Sequence, residues 1–132
     1  MFTIQTYLAQ SQIDGIGVFA GEFIASGAVI WKFEAGFDVI VSDEKFAELS
    51  KMAQAWILHY GYYNKQEGGY VLCMDNAKYT NHSSDPNMRA VDNRNPSITT
   101  RDIQKGEEIT ENYYNFDELA SQKLADKINH GR

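Results

Sequence analysis

Asn81-His82-Ser83-Ser84-Asp85-Pro86-Asn87 is the densest polar run in this 132-residue chain, and its reading decides the rest. Asn, Ser, Asp and Pro are turn formers, so the bland account is a turn. His82 beside Ser83 does not make a hydrolase: neighbours in a turn point apart, and the glycines of a nucleophile elbow are missing. His82, Asp75 and Asp85 do not make a metal site either, because no second histidine stands at ligand spacing. Two further clusters flank the run. Upstream, Asp14-Gly15-Ile16-Gly17-Val18-Phe19 holds a Gly-x-Gly, but lacks the third glycine and the following helix of a dinucleotide fingerprint. Downstream, Gly106-Glu107-Glu108-Ile109-Thr110-Glu111-Asn112-Tyr113-Tyr114 follows a turn signal at Lys105-Gly106, and its acids alone read as a solvated edge.

Around these clusters the chain is short β-like runs broken by glycine: Phe2-Thr3-Ile4-Gln5, Gly17-Val18-Phe19-Ala20 and Val29-Ile30-Trp31-Lys32-Phe33. Ser42-Asp43-Glu44 is a helix start, with a capping hydroxyl and acids in the first turn. Phe46, Leu49, Ala53, Trp56 and Ile57 follow at helical spacing and predict one helix over residues 43–58. Strand patterns return in Gly69-Tyr70-Val71-Leu72, at Ala90-Val91 and in Ser97-Ile98-Thr99. Asn115 with Glu118 three residues on is an Asn-led capping box. Phe116, Leu119, Ala120, Leu124 and Ile128 then form the apolar stripe of a terminal helix. The class is α+β with β dominant, in a single domain over residues 1–132.

Composition narrows the function. With 43% hydrophobic, 13% aromatic and 23% charged residues, the chain is core-forming rather than disordered. Apolar runs such as Val39-Ile40-Val41 fall far short of the roughly 20 residues that span a bilayer, so no membrane association is expected. Met1 to Gln12 carry no basic cluster and no long apolar stretch, so no secretory signal is expected. The lone Cys73 forms neither an intrachain disulfide nor a cysteine-rich zinc site, and an intracellular, cytoplasmic chain is expected. Twelve basic against 18 acidic residues give a net charge of −6. That disfavours nucleic acid, whose phosphates need clustered Lys and Arg, and favours a basic peptide or protein partner. No motif specifies an oligomeric state.

Taken together and in this order, the three clusters resemble the SET-domain family of protein lysine methyltransferases. Gly15-Ile16-Gly17-Val18-Phe19-Ala20 looks like that family's glycine motif. Asp75-Asn76-Ala77-Lys78-Tyr79-Thr80-Asn81-His82-Ser83 with Pro86-Asn87 looks like its Asn-His-Ser motif. Arg101-Asp102-Ile103 through Gly106–Thr110 to Asn112-Tyr113 looks like its closing motif. The resemblance spans about Ile13 to Phe116. It implies small curved β-sheets with a C-terminal pseudoknot, the closing segment passing beneath a loop, an exception to unthreaded connections. It also implies S-adenosylmethionine as cofactor, with no metal. Gly15, Ile16 and Gly17 would offer main chain to it, and Asn81 and His82 would bind its amino-acid and adenine ends. Lys78, where the family often has arginine, would meet its carboxylate as a point charge. Tyr113 matches the catalytic tyrosine, also next to the cofactor, and register against Gly106–Thr110 selects it over Tyr114. Tyr60, Tyr62 and Tyr70 are candidate walls of the substrate channel.

Two departures from the family pattern stand out. The three zinc-binding cysteines that often follow the closing motif are missing, so the terminal helix over residues 117–132 is expected to act as the lid, with Phe116 facing the cofactor. Two positions before the tyrosine, where the family often has Phe or Tyr lining the channel, stands Glu111. The activity implied is methyl transfer from S-adenosylmethionine to the side-chain amine of a lysine in a protein substrate. The alternative, from a different class, is a non-catalytic SET-like module that binds a peptide or partner. For transfer, a lysine of reference pKa near 10.4 must be presented neutral, which costs about 4 kcal/mol near pH 7.4. A sulfonium charge and a dry aromatic channel both favour the neutral amine, and alignment for in-line displacement is a positioning problem.

Overall fold

The computed structural model describes residues 1–93 and 95–129. An antiparallel hairpin of β1 (Thr6–Gln10) and β2 (Ile16–Ala20) opens the chain, with Thr6 opposite Ala20. The strand expected at Phe2–Gln5 forms only from Thr6 onward. Phe2 instead makes a lone bridge to Trp31 and fills the core. β3 (Val29–Trp31) and β4 (Val39–Ser42) follow.

The single helix expected over residues 43–58 is two, α1 (Asp43–Glu48) and α2 (Lys51–Tyr60). Ser42 Oγ accepts from Lys45 N at 3.2 Å, and Ser50 Oγ accepts from Ala53 N at 3.2 Å, so a second cap starts where the apolar stripe seemed continuous. Of that stripe only Ile57 is buried, and Trp56 is 46% exposed. β5 (Tyr62–Asn64) and β6 (Gly69–Leu72) complete a sheet of order β4-β6-β5.

After a 3-10 turn at Asn76–Tyr79 come β7 (Asn81–His82), β8 (Met88–Ala90), β9 (Ser97–Thr99) and β10 (Thr110–Glu111). With β3 they form a sheet of order β3-β9-β8-β10-β7. β10 lies parallel to and between β7 and β8, although those two are consecutive in sequence. The 83–87 loop joining them is tied across β10. Ser83 N donates to Glu111 O at 3.0 Å, Asn87 Nδ2 donates to Glu108 O at 2.8 Å, and Thr110 N donates to Asn87 Oδ1 at 2.9 Å. This is the expected pseudoknot. Ile109, fully buried with Val18, Ile30 and Ile103, anchors the threaded segment in the core. Each such side chain contributes about 1.5–3 kcal/mol of hydrophobic stabilisation.

Beyond β10, Asn112 Oδ1 accepts from Tyr114 N at 3.1 Å and caps a 3-10 turn at Tyr113–Asn115. The terminal helix is α3 (Ala120–Asn129), shorter at its start than expected. Asn115 and Glu118 do not box it in. Asp117 Oδ1 accepts from Leu119 N at 3.0 Å, while Glu118 Oε2 accepts from Lys65 N at 2.5 Å. Ala120 is buried, and the side chain of Ile128 lies outside the described residues.

Candidate active site

The knot brings the closing motif against the Asn-His-Ser motif and so positions Tyr113. Its hydroxyl donates to Thr80 O at 2.6 Å, and its backbone N donates to His82 Nδ1 at 3.1 Å. Its ring meets His82 edge-on at 5.3 Å and Phe116 at 5.8 Å. Burial, then the carboxylates of Asp117 and Asp14, push the phenol up from its ordinary value, so it is neutral at physiological pH. Tyr113 lines a cavity of about 830 Å³, whereas Tyr114 is 59% exposed.

On the wall of that cavity Asn81 Nδ2 donates to Asp14 O and to Glu108 Oε2, both at 3.0 Å. Glu108 also accepts from Ser11 Oγ at 2.8 Å. A Cβ on Gly17 would sit 2.5 Å from Glu108 Oε2, so this glycine makes room for a protein carboxylate. Gly15 and Ile16 line the cavity, and Gly15 takes a left-handed φ of +49° with nothing near its missing side chain. Glu108 thereby joins all three motifs, yet in the sequence it is one acid among several. The signal that could have found it is the second glycine of Gly-x-Gly, which needs a neighbour to explain it. Lys78 lies on the cavity wall, its Nζ 5.6 Å from the Trp56 ring and 5.9 Å from that of Tyr79.

The rest of the wall is aromatic, then polar. Tyr60 meets Tyr79 at 5.8 Å, and Tyr62 meets Phe116 edge-on at 5.0 Å. Deeper, Glu111 is only 7% exposed, with Ser97 Oγ donating to it at 3.5 Å. Burial pushes its carboxyl up to about 8, against hydrogen bonds from Ser97 and the Ala90 backbone. The cavity thus gathers Gly15, Ile16, Lys78, Asn81, Tyr60, Tyr62, Glu111, Tyr113 and Phe116. Three expected residues stand elsewhere. Gly17 lies behind the wall against Glu108, and His82 lies behind Tyr113, between that ring and the ring of Tyr114 at 5.8 Å. Tyr70 is no channel wall: it stacks on Phe46 at 4.2 Å and touches Tyr63 at 5.0 Å, because β6 turns that face toward α1.

The terminal helix reaches the cavity through Lys123. Its Nζ lies 2.7 Å from Asp117 Oδ2, donates to Gly61 O and sits 5.9 Å from the Tyr113 ring centre. Asp117 in turn accepts from Tyr63 N at 3.1 Å, fastening the helix start to β5.

Among solved structures, a Plasmodium falciparum protein assigned as a histone methyltransferase is 23% identical, with a TM-score of 0.60 over 84% of this chain and 94% of that one. A Chaetomium thermophilum Polycomb Repressive Complex 2 chain, in an autoinhibited conformation bound to S-adenosylmethionine, is 20% identical. Its TM-score is 0.62 over 96% of this chain but only 17% of that chain, so this protein spans about a sixth of it. These likenesses show a shared fold. A search of curated proteins by sequence finds no match. The family model for the SET domain matches residues 15–114, the stretch that carries the hairpin glycines, the knot and Tyr113, and the chain belongs to the SET-domain family.

Proposed function

We propose that this protein is an S-adenosylmethionine-dependent protein-lysine N-methyltransferase. The observation that carries the reading is Tyr113, a neutral phenol with its proton fixed on Thr80 O at 2.6 Å, facing the cavity beside Phe116. Its oxygen lone pairs are therefore aimed by the backbone rather than by solvent, as positioning an amine against a methyl group requires. The residues around Asn81 suit the cofactor. Asn81 Nδ2 is used on Asp14 O and Glu108, so Asn81 Oδ1 is the atom left to accept from an amino-acid ammonium. Lys78 would meet the carboxylate, and the bare main chain at Gly15 and Ile16 would let a flat ligand approach. Bound there, S-adenosylmethionine supplies an electrophilic methyl group. The rings of Tyr60, Tyr62 and Phe116 keep water from the amine and disfavour its charged form. Asp14, Asp117 and Asp126 on the wall, with a net charge of −6, favour a basic protein or peptide as substrate.

The test is calorimetry with S-adenosylmethionine, followed by methyl transfer to an array of lysine peptides. Binding with transfer supports the reading. Binding of peptides without transfer would make the chain a non-catalytic module, and failure to bind S-adenosylmethionine would overturn the reading outright.

A further inference from the structure

We propose that Glu111 is a second catalytic residue of this chain, the carboxylate that takes the proton from the target ammonium inside the channel. The inference rests on the methyltransferase reading above and adds a proton acceptor to it. The backbone puts Glu111 there. It ends β10, opposite Met88 of β8, and the next strands carry Ala90 opposite Ser97 and Ser97 opposite Trp31. Met88, Ala90, Ser97, Trp31 and Glu111 all line the cavity that Tyr113 lines. A carboxyl is costly to bury in such a place unless it is well partnered. Here, among the described residues, its partners are the Ala90 backbone and a long contact from Ser97 Oγ, at 3.5 Å. Trp31, which lines the same cavity, has its Nε1 buried with no hydrogen-bond partner among the described residues.

Glu111 is hydrogen-bonded by the Ser97 hydroxyl and the Ala90 backbone, and its charge is felt by the Tyr62 and Tyr113 phenols and the Cys73 thiol. Burial pushes the phenols and the thiol up, so none of these groups is charged near neutral pH; of the cations on the same wall, Lys123 is paired with Asp117 and Lys78 lies by the Trp56 and Tyr79 rings. The step balances. An N–H bond of the ammonium breaks and an O–H bond forms on Glu111, leaving a neutral amine with a free pair. That pair forms the new N–C bond to the methyl of the sulfonium donor as the C–S bond breaks and its electrons pass to sulfur. Glu111 then loses its proton to water. Burial holds the carboxyl near 8, close to the working pH, as a general base requires.

The experiment compares the full-length protein with Glu111→Gln. In cofactor-free protein carrying ¹³C-labelled glutamate, one carboxyl should titrate near pH 8 and its signal should vanish in the variant. Adding a lysine peptide should move that midpoint downward, while the same peptide with norleucine in place of lysine should not. In transfer assays Glu111→Gln should slow the reaction about 100-fold or more, with S-adenosylmethionine affinity unchanged. The rise in wild-type rate with pH through about 8 should disappear with it. Wild-type rates and pH profile in Glu111→Gln, or a midpoint that a lysine peptide leaves unmoved, would overturn the proposal. The midpoint measurement uses wild-type protein alone, so it decides even if the variant fails to fold. A wild-type protein that binds no S-adenosylmethionine and transfers no methyl would sink the methyltransferase reading instead.

Discussion

Around Asn81 the cavity wall is tightly tied: Asn81, Asp14, Glu108 and Ser11 are locked to one another by hydrogen bonds of 2.8–3.0 Å. Around Glu111 the partners are the Ala90 backbone and a 3.5 Å contact from Ser97, and the Trp31 indole N–H finds no partner among the described residues. The first is a satisfied network, which fixes geometry before any ligand arrives. The second leaves buried polar groups under-partnered, which costs stability unless something in the channel uses them. Rigidity belongs to the Asn81 cluster, and unmet polar demand to the surroundings of Glu111.

The sharpest way to break that comparison is at the junction, Tyr113. Tyr113→Phe deletes only the hydroxyl that donates to Thr80 O, so folding and S-adenosylmethionine binding should survive. Transfer should fall about 10²–10³-fold, the usual loss for one positioned polar group at a reacting centre. Tyr114→Phe, altering a ring 59% exposed, should change the rate less than about threefold. The reverse order, read by peptide methylation under saturating substrates, would move the catalytic register by one residue.

The buried carboxyl of Glu111 predicts a pH effect on stability. Glu111 titrates near 4.5 when unfolded and about 8 when folded, so between those values the native state holds the extra proton. Its contribution is therefore fully present below about 4.5 and is lost as pH rises through 8, by a few kcal/mol at most. Urea unfolding at pH 5 and pH 9 should show wild type losing more stability than Glu111→Gln across that interval. Equal losses in the two proteins would mean that the carboxyl is solvated in solution.

The knot joins the strands that carry Asn81 and Glu111, and Asn87 holds it. Asn87→Ala leaves Thr110 N and Glu108 O without their side-chain partner and should cost about 2–3 kcal/mol, measured by the urea midpoint. A loss below about 1 kcal/mol would mean that strand pairing alone keeps β10 in place.

How far the sequence revealed this depends on whether backbone or side-chain context sets each position. The β-dominant class was legible because short runs punctuated by glycine carry it, and the knot because the three motifs resemble those of the SET-domain family in kind and order. Glu108 was not, since nothing in a run of acids says which one turns inward to meet Asn81 and Ser11. Tyr70 was misplaced for the same reason: a tyrosine on a strand stacks equally well on Phe46 or on a channel. The break at Leu49-Ser50 was hidden because an apolar stripe runs across it, although Ser50 is itself a good cap. At the terminal helix the Asn115–Glu118 spacing matched a capping box, yet Asp117 serves the helix start and Glu118 turns to Lys65.

The smallest effect is expected at that helix, where the comparison is sharpened rather than broken. Asp117 has its side chain almost fully buried and binds Lys123 at 2.7 Å, a pair whose disruption would ordinarily cost about 3–5 kcal/mol. Lys123→Met should cost less, about 1–2 kcal/mol, for two physical reasons. Tyr63 N and Leu119 N still donate to Asp117, so its charge is not abandoned, and methionine keeps an apolar stem over the Tyr113 ring. Asp117→Asn should cost no less than Lys123→Met, because a neutral amide weakens both of those backbone contacts along with the ion pair. A double-mutant cycle read by urea unfolding should give a coupling of about 1 kcal/mol between the two positions. If the helix also closes the site, Lys123→Met should weaken S-adenosylmethionine binding a few-fold while leaving the Asn81 network intact. A variant that loses stability but binds the cofactor as wild type does would make α3 a brace for β5 and not a wall of the active site.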